Sequence, residues 1–314
     1  LHRFDKNYLG EKAKEFGFVR DTLEKVYRLA EILKYINSDK LLVKRLVLKG
    51  GTAINLTVFN LPRLSVDIDL DYDRDCSLEE MLEERQKITD RIYAYMKENE
   101  YSLAPNSRLR HSLDSYVFNY QNAGGNPDNI KIEINYSLRA HIFEPIGRAI
   151  ITNALESDYK IRTLLPIELF AAKINALISR AAARDLYDMN NMVEYGLFDE
   201  ADFDMLRKCV VFYAAISAET INKTFDTSEI DSITFSKIHT DLFPVIRDKG
   251  NFKLDEKKKA AKTYIEELMK LTPEEKEFLD RFENNEYRLD LLFKEDEIIK
   301  RLENHPMALW KMQR

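Results

Sequence analysis

Residues Leu46–Tyr72 read LVLKGGTAINLTVFNLPRLSVDIDLDY, and the rest of the chain is organised around this stretch. Val47 and Leu48 close an apolar run that reads as a strand. Gly50-Gly51 makes a turn that a side chain would obstruct. Thr52–Phe59 is long enough for about two helical turns. Backbone N–H groups at a helix start, with the Thr52 hydroxyl beside them, are suited to hold a phosphate. The chain then returns through Pro62 into Ser65–Tyr72, where Asp67, Asp69 and Asp71 alternate with Ile68, Leu70 and Tyr72. A period of two puts the three aspartates on one face of a strand and the apolar residues on the other.

Carboxylates repeated on one strand face repel each other. A solvated edge strand tolerates them, and charge runs are usually surface. A divalent cation is the other reason for them: Mg²⁺ takes one or two carboxylates plus substrate phosphates. An anion cradle followed by a cation cradle fits a metal–nucleotide better than either half fits a solvated surface. The expectation is therefore Mg²⁺ or Mn²⁺ at Asp67 and Asp69, with a nucleoside triphosphate over Gly50, Gly51 and Thr52 and beside Ser65.

Gly50-Gly51-Thr52 followed by Arg63-x-Ser65-x-Asp67-Ile68-Asp69-Leu70 resembles the signature of nucleotidyltransferases with the DNA polymerase β-type fold. In the fuller form LKGGTAINL…RLSVDIDLDY it resembles the AbiEii/AbiGii family, the toxins of type IV toxin–antitoxin and abortive-infection systems. The resemblance implies an α/β (α+β) nucleotidyltransferase domain with a mixed sheet, joined to an α-helical C-terminal domain. The expected division is 1–160 and 161–314, with the second part contributing Lys173 and Asp188 to a cleft.

A second block supports that resemblance. PIELFAAKINALISRAAARDLYDMNNMVEYG runs from Pro166 to Gly196 without an internal Gly or Pro, so it reads as one helix. On a continuous helix Lys173, Arg180, Arg184 and Asp188 share a narrow stripe, an arrangement that a break near Ala181–Ala183 would undo. Three cations and an acid on one stripe would be hard to pack as core; an internal salt-bridge ladder is the alternative. Ala171-x-Lys173-x-x-Ala176-Leu177-x-x-Arg180-x-x-x-Arg184-Asp185-x-x-Asp188 resembles a pattern of the same family. By that resemblance Lys173 contacts the triphosphate and Asp188 is an active-site acid. Arg180 and Arg184 hold phosphate or RNA backbone, and Asp185 orients an arginine.

The strand Ile130–Tyr136, IKIEINY, places Glu133 opposite in phase to its isoleucines. Polymerase β-like enzymes commonly carry a third acid on a neighbouring strand, and Glu133 is the candidate by position. A half-exposed surface glutamate is the competing reading, and Asp188 is the other candidate to complete the acidic set.

The remaining elements read more simply. Glu11–Asn37 is expected as one long helix and Leu41–Leu48 as the first strand. Ser77–Glu100 is a helix opened by a Ser77/Glu80 capping box. Ser115–Tyr120 and Ile130–Tyr136 form a hairpin around Gly124-Gly125. Helices are expected over Asp202–Ala218, Asp255–Lys270, from Thr272-Pro273 onward, and over Asn284–Asn304. Trp310 is expected to be a packing anchor, and His305 has no second ligand nearby that would make it a metal site.

Bulk properties narrow the class. Hydrophobic residues at 45% and charged residues at 32% make an ordinary globular composition. Cys76 and Cys209 are too few for a disulfide framework and fit a reducing compartment. No apolar stretch reaches about 18 residues, and the first residues lack a basic-then-apolar signal pattern, so the expectation is a cytoplasmic protein without a membrane span. A net charge of −6 gives no global attraction to nucleic acid, so an RNA partner must be held locally. The GxxxxGK[ST] phosphate loop and the GxSxG hydrolase elbow are both absent from the sequence.

The function these readings imply is transfer of a nucleoside monophosphate from an NTP to an acceptor hydroxyl, with release of pyrophosphate. By family resemblance the acceptor is RNA, the 3′ end of tRNA, which would block translation and growth. The cognate antitoxin of a type IV system need not touch the toxin. Two alternatives stay open: the same chemistry on a protein or small molecule, and a non-catalytic nucleotide-binding module.

Overall fold

The computed structural model describes residues 4–155, 157–217, 221, 223–250 and 252–313. The chain forms two compact units: residues 1–139, 145–164 and 245–247 make the first, and 140–144, 165–244 and 248–314 the second.

The first unit is a mixed sheet with helices. In chain order it comprises α1 (Lys6–Phe16), α2 (Arg20–Ser38), the single turn α3 (Leu42–Arg45), β1 (Leu46–Lys49) and α4 (Gly50–Ala53). After a π-helical run, Ile54–Val58, come β2 (Asp67–Asp73), α5 (Leu78–Glu98), β3 (Ser102–Leu103) and β4 (Arg108–Leu109). β5 (Leu113–Gln121), β6 (Pro127–Arg139), β7 (Ile146–Ala149) and β8 (Lys160–Thr163) complete it. The strand order is β3-β5-β6-β2-β1-β8-β7, with β4 also on β5. β2 pairs antiparallel with β1 and parallel with β6, so the acidic strand stands in the middle of the sheet.

Alternation decides which face is buried. Ile68, Leu70 and Tyr72 of β2, Ile130, Ile132, Ile134 and Tyr136 of β6, and Tyr116, Phe118 and Tyr120 of β5 are all core residues. α5 brings Met81, Ile88, Ile92 and Met96 to the core, and α2 brings Leu23, Val26, Leu29, Ala30 and Leu33. The Ser77/Glu80 capping box forms as expected, with both reciprocal bonds at 3.1 Å.

Two expectations fail here. The helix expected over Glu11–Asn37 is two helices, because Gly17 takes a left-handed φ of 71° and ends α1 with its N–H on Ala13 and Lys14 carbonyls. The first strand begins at Leu46 rather than Leu41, because Leu42–Arg45 makes a helical turn started by the Asp39 carboxylate on the Leu41 and Leu42 amides.

The second unit is helical: α6 (Pro166–Arg180), α7 (Ala183–Glu194), α8 (Glu200–Ser217), the short α9 (Phe235–Lys237), α10 (Leu254–Leu268), α11 (Pro273–Glu283), α12 (Asp296–Leu302) and α13 (Pro306–Met312). α11 begins at Thr272-Pro273 as expected, and Thr272 caps it with a full capping box. Asn284–Asn304 is not a continuous helix; it holds a 3₁₀ turn at Leu289–Leu291 and then α12. Buried Glu168 accepts the Ile142 and Phe143 amides and the Tyr213 hydroxyl, which ties the 140–144 segment to α6 and α8. His305 is buried against the edge of the Phe212 ring. Trp310, expected to be an anchor, is instead 44% exposed.

The division does not fall at residue 160. β8 continues the sheet beside β1 up to Thr163, and Ile246 bridges to Arg63, so the first unit takes both pieces.

Candidate active site

The site starts from two glycines at the end of β1. Gly50 has a φ of 68°, a conformation that favours glycine. A Cβ there would collide with Asp69 Oδ2 and stand 3.2 Å from its Cγ. A Cβ on Gly51 would lie 2.6 Å from Arg63 Nη2 and 3.0 Å from Ser65 Oγ. The diglycine is thus required by what presses on it: a carboxylate on one residue, a guanidinium and a hydroxyl on the next.

Thr52 departs from its expected role. It is buried, and its hydroxyl donates to the Asp67 carbonyl. The hydroxyl therefore binds the turn to the acidic strand instead of being offered to a phosphate. The strand that carries the acids is in this way fastened directly to the turn that precedes them.

The acids follow from sheet register. Lys49 stands opposite Asp69 on one side, and Glu133 stands beside Asp69 on the other. Neighbours in register point to the same face, so Asp67, Asp69, Glu133 and Lys131 share one. Asp67, Asp69 and Glu133 are all partly exposed there. Lys131 is ion-paired with Glu133 at 2.9 Å. Asp71 differs from its two predecessors: it is fully buried and ion-paired to Lys49 at 2.5 Å. Removing Asp71 would take from half-buried Lys49 the carboxylate it is paired with.

The second block is not a stripe on one helix. Ala181 adopts a left-handed φ of 45°, which ends α6, and α7 begins at Ala183. The stripe expected over Lys173, Arg180, Arg184 and Asp188 therefore does not exist. Folding back at Ala181 brings Lys173 and the α7 acids together. Lys173 Nζ lies 2.7 Å from Asp185 Oδ1 and 3.1 Å from Asp188 Oδ2. Arg180 Nε donates to Asp185 Oδ2 at 2.8 Å from a largely exposed side chain. Burial pushes Asp185 up, but Lys173 and Arg180 outweigh it and hold the carboxyl below the ordinary range. Arg184 Nε donates to the Asp241 carbonyl at 2.8 Å, a bond that braces α7 within its unit.

A model of the AbiEii nucleotidyl transferase toxins of type IV toxin–antitoxin systems matches residues 31–290. The chain belongs to the AbiEii family. It is therefore a nucleotidyltransferase toxin by descent, and both motif blocks lie inside the matched span. No curated protein matches it. Among solved structures it is similar to MenT4, a nucleotidyltransferase toxin from Mycobacterium tuberculosis H37Rv, at a TM-score of 0.64 and 15% identity. The similarity covers 98% of this chain and 99% of that one, which establishes a shared mixed α/β fold.

The donor set of this AbiEii chain suits a hard divalent cation. Asp67 and Asp69 offer oxygen ligands on alternate residues of one strand, the pairing Mg²⁺ or Mn²⁺ accepts together with phosphate oxygens. Among the described residues no three His, Cys, Asp or Glu groups form a cage for an ion. Among the described residues, too, no helix is long and apolar enough to cross a membrane.

Sequence reasoning gave no role to Lys49, Asp71, Asn55 or Arg63. The signal for the first two was present: a lysine immediately before the diglycine and a third aspartate in the alternation. Arg63 stands in the quoted signature without a role there, and Asn55 is not singled out; their bonds to backbone groups of Gly51, Arg63 and Leu64 appear only in the folded chain.

Proposed function

We propose that this chain is a metal-dependent toxin that transfers a nucleoside monophosphate from an NTP to an RNA hydroxyl. The acceptor hydroxyl oxygen attacks the α-phosphorus, the bond to the bridging oxygen breaks, and pyrophosphate leaves. The observation that carries this reading is the junction of the diglycine turn with the acidic strand: Asp69 packs against Gly50, and Thr52 is bonded to Asp67.

Asp67 and Asp69 would hold the ion, Mg²⁺ or Mn²⁺, which when bound would supply Lewis-acid stabilisation of phosphate charge. Gly50 and Gly51 present the backbone of the turn to the triphosphate, with Ser65 at its side. Glu133, in register with Asp69, takes the proton of the acceptor hydroxyl. Lys173 is the cation for the triphosphate, and Asp188 the acid that keeps it charged and aimed. Lysine suits a triphosphate as a compact point charge. Arg180, the more exposed of the two arginines, contacts RNA backbone. The acceptor is the 3′ end of tRNA, and growth arrest follows because an extended end cannot be aminoacylated. The same site acting on a protein hydroxyl is the second reading, since neither the turn nor the acids select the acceptor.

The test uses α-phosphate-labelled NTPs, Mg²⁺ or Mn²⁺, and either total RNA or cell extract. The expected result is label in RNA of tRNA size, lost on chelation and reduced by at least 100-fold in Asp67→Asn. Label confined to protein favours the second reading. Unchanged transfer by Asp67→Asn and Asp69→Asn sinks the metal-site assignment.

A further inference from the structure

We infer that Asn55 and Arg63 are positioning residues, a clasp that sets the Gly51 peptide against the acidic strand. The inference rests on the nucleotidyltransferase reading above and adds to it two residues that touch no substrate. Asn55 is completely buried, and its Nδ2 donates to the Gly51 carbonyl at 2.8 Å. Its Oδ1 accepts the backbone N–H of Arg63 at 3.4 Å. One side chain thus joins the diglycine turn to the residue that opens the acidic strand segment.

Arg63 closes the other side. It is 2% exposed, and its Nη1 donates to the Leu64 carbonyl at 3.0 Å. Its Nη2 fills the space that a Gly51 side chain would take, 2.6 Å from that Cβ position. The Arg63 backbone is itself fixed, because it bridges to Ile246 and the following Leu64 N–H donates to the Val245 carbonyl at 2.7 Å. A guanidinium is costly to bury, and this one stands against the backbone of the turn.

The local winding fits that purpose. Ile54–Val58 is π-helical, and such wider turns recur at functional sites. Within it the Asn55 side chain reaches back to the Gly51 carbonyl. Thr52, through its hydroxyl on Asp67, anchors the next residue of the same turn. Gly51 and Thr52 are therefore each fastened, one by the clasp and one by the strand. Neither Asn55 nor Arg63 presents surface to a ligand, so their effect on the reaction is through the position of the turn. Misplacement of a reacting group by about 1 Å can cost about 100-fold in rate.

The experiment compares the full-length chain with Asn55→Asp and Arg63→Lys. The first is isosteric but turns the donor facing Gly51 into an anion; the second keeps the charge and loses the planar fork. KM for the NTP and kcat are measured at a temperature where circular dichroism shows each variant folded. The expected result is a fall in kcat/KM of tenfold or more in both, carried mainly by KM, with Arg63→Met worse than Arg63→Lys. Folded variants with wild-type KM and kcat overturn the clasp while the nucleotidyltransferase reading stands. Where Asn55→Asp does not fold, Arg63→Lys and Arg63→Met decide alone. A wild-type chain that neither binds NTP nor transfers label to any acceptor sinks the functional reading, and the clasp with it.

Discussion

Gly50 is where backbone conformation and site chemistry meet. Its φ of 68° lies in the left-handed region, and any Cβ there would meet the Asp69 carboxylate. Alanine at this position should cost about 1–2 kcal/mol from the left-handed backbone alone. Moving Asp69 is a further consequence, and it falls on activity. Gly125 supplies the control, because its φ is 85° but a Cβ there meets nothing within 4 Å. The expected outcome is that both Gly50→Ala and Gly125→Ala lose stability in thermal unfolding, Gly50→Ala the more because Asp69 must shift. Only Gly50→Ala should lose transfer activity, by tenfold or more. Equal activity in the two would show that Asp69 can shift without consequence. The same residue-level view separates Asp71 from Asp67 and Asp69. Three aspartates alternate identically in sequence, yet Asp71 is buried on Lys49 while the other two stay partly exposed. Alternation reports the face of a strand and not the depth at which each residue sits, so this difference was not readable before the fold.

At the scale of elements, the α6–α7 corner depends on charge. Ala181 holds a left-handed φ, which costs an alanine about 1–2 kcal/mol, and the Lys173–Asp185–Arg180 bonds span the corner that it makes. Asp185→Asn should therefore destabilise the second unit by roughly 2–3 kcal/mol at neutral pH, the scale of charge-assisted hydrogen bonds. The sign with pH follows from the lowered Asp185 pKa. A depressed carboxyl stabilises the fold above its unfolded value, near 4, and loses that contribution as pH falls through the folded value. Urea unfolding at pH 7 and at progressively lower pH should show the deficit of Asp185→Asn complete at pH 7 and shrinking below about pH 4. A pH-independent deficit would mean that packing, not the carboxylate charge, supports the corner. This corner also marks a limit of sequence reading. The capping box at Ser77, the helix start at Thr272-Pro273, the β5–β6 hairpin and the acidic strand were legible because each is specified by neighbours in sequence. The break at Ala181 was not, because neither Gly nor Pro announces it and the forces that hold it come from residues a helix away. The candidate site divides in the same way. Asp67, Asp69, Gly50 and Gly51 stand in one contiguous motif, and register brings Glu133 to Asp69; the link from Thr52 to Asp67 appears only once the turn is folded.

At the scale of the whole molecule, the chain does not fold as two consecutive segments. The first unit takes residues 145–164 after the chain has left it at 139, and takes 245–247 again much later. β8 is parallel to β1 through Leu48 and Thr163, and β7 joins the sheet only through β8. A parallel neighbour cannot be replaced by a hairpin from the adjoining sequence. A fragment ending at residue 160 would therefore lose β8 and, with it, the edge beyond β1. The strand of the diglycine turn would become an exposed edge, a known route to aggregation. Extending the fragment to residue 164 restores that strand but still lacks Ile246 on Arg63. The expected order is an insoluble or poorly cooperative fragment 1–160, a soluble 1–164 with weak NTP binding, and full binding only in the intact chain. Thermal unfolding followed by circular dichroism, together with NTP titration by fluorescence, distinguishes the three. A cooperative 1–160 fragment that binds NTP as well as the full chain would show that β8 and the Val245–Arg247 return are dispensable to the turn.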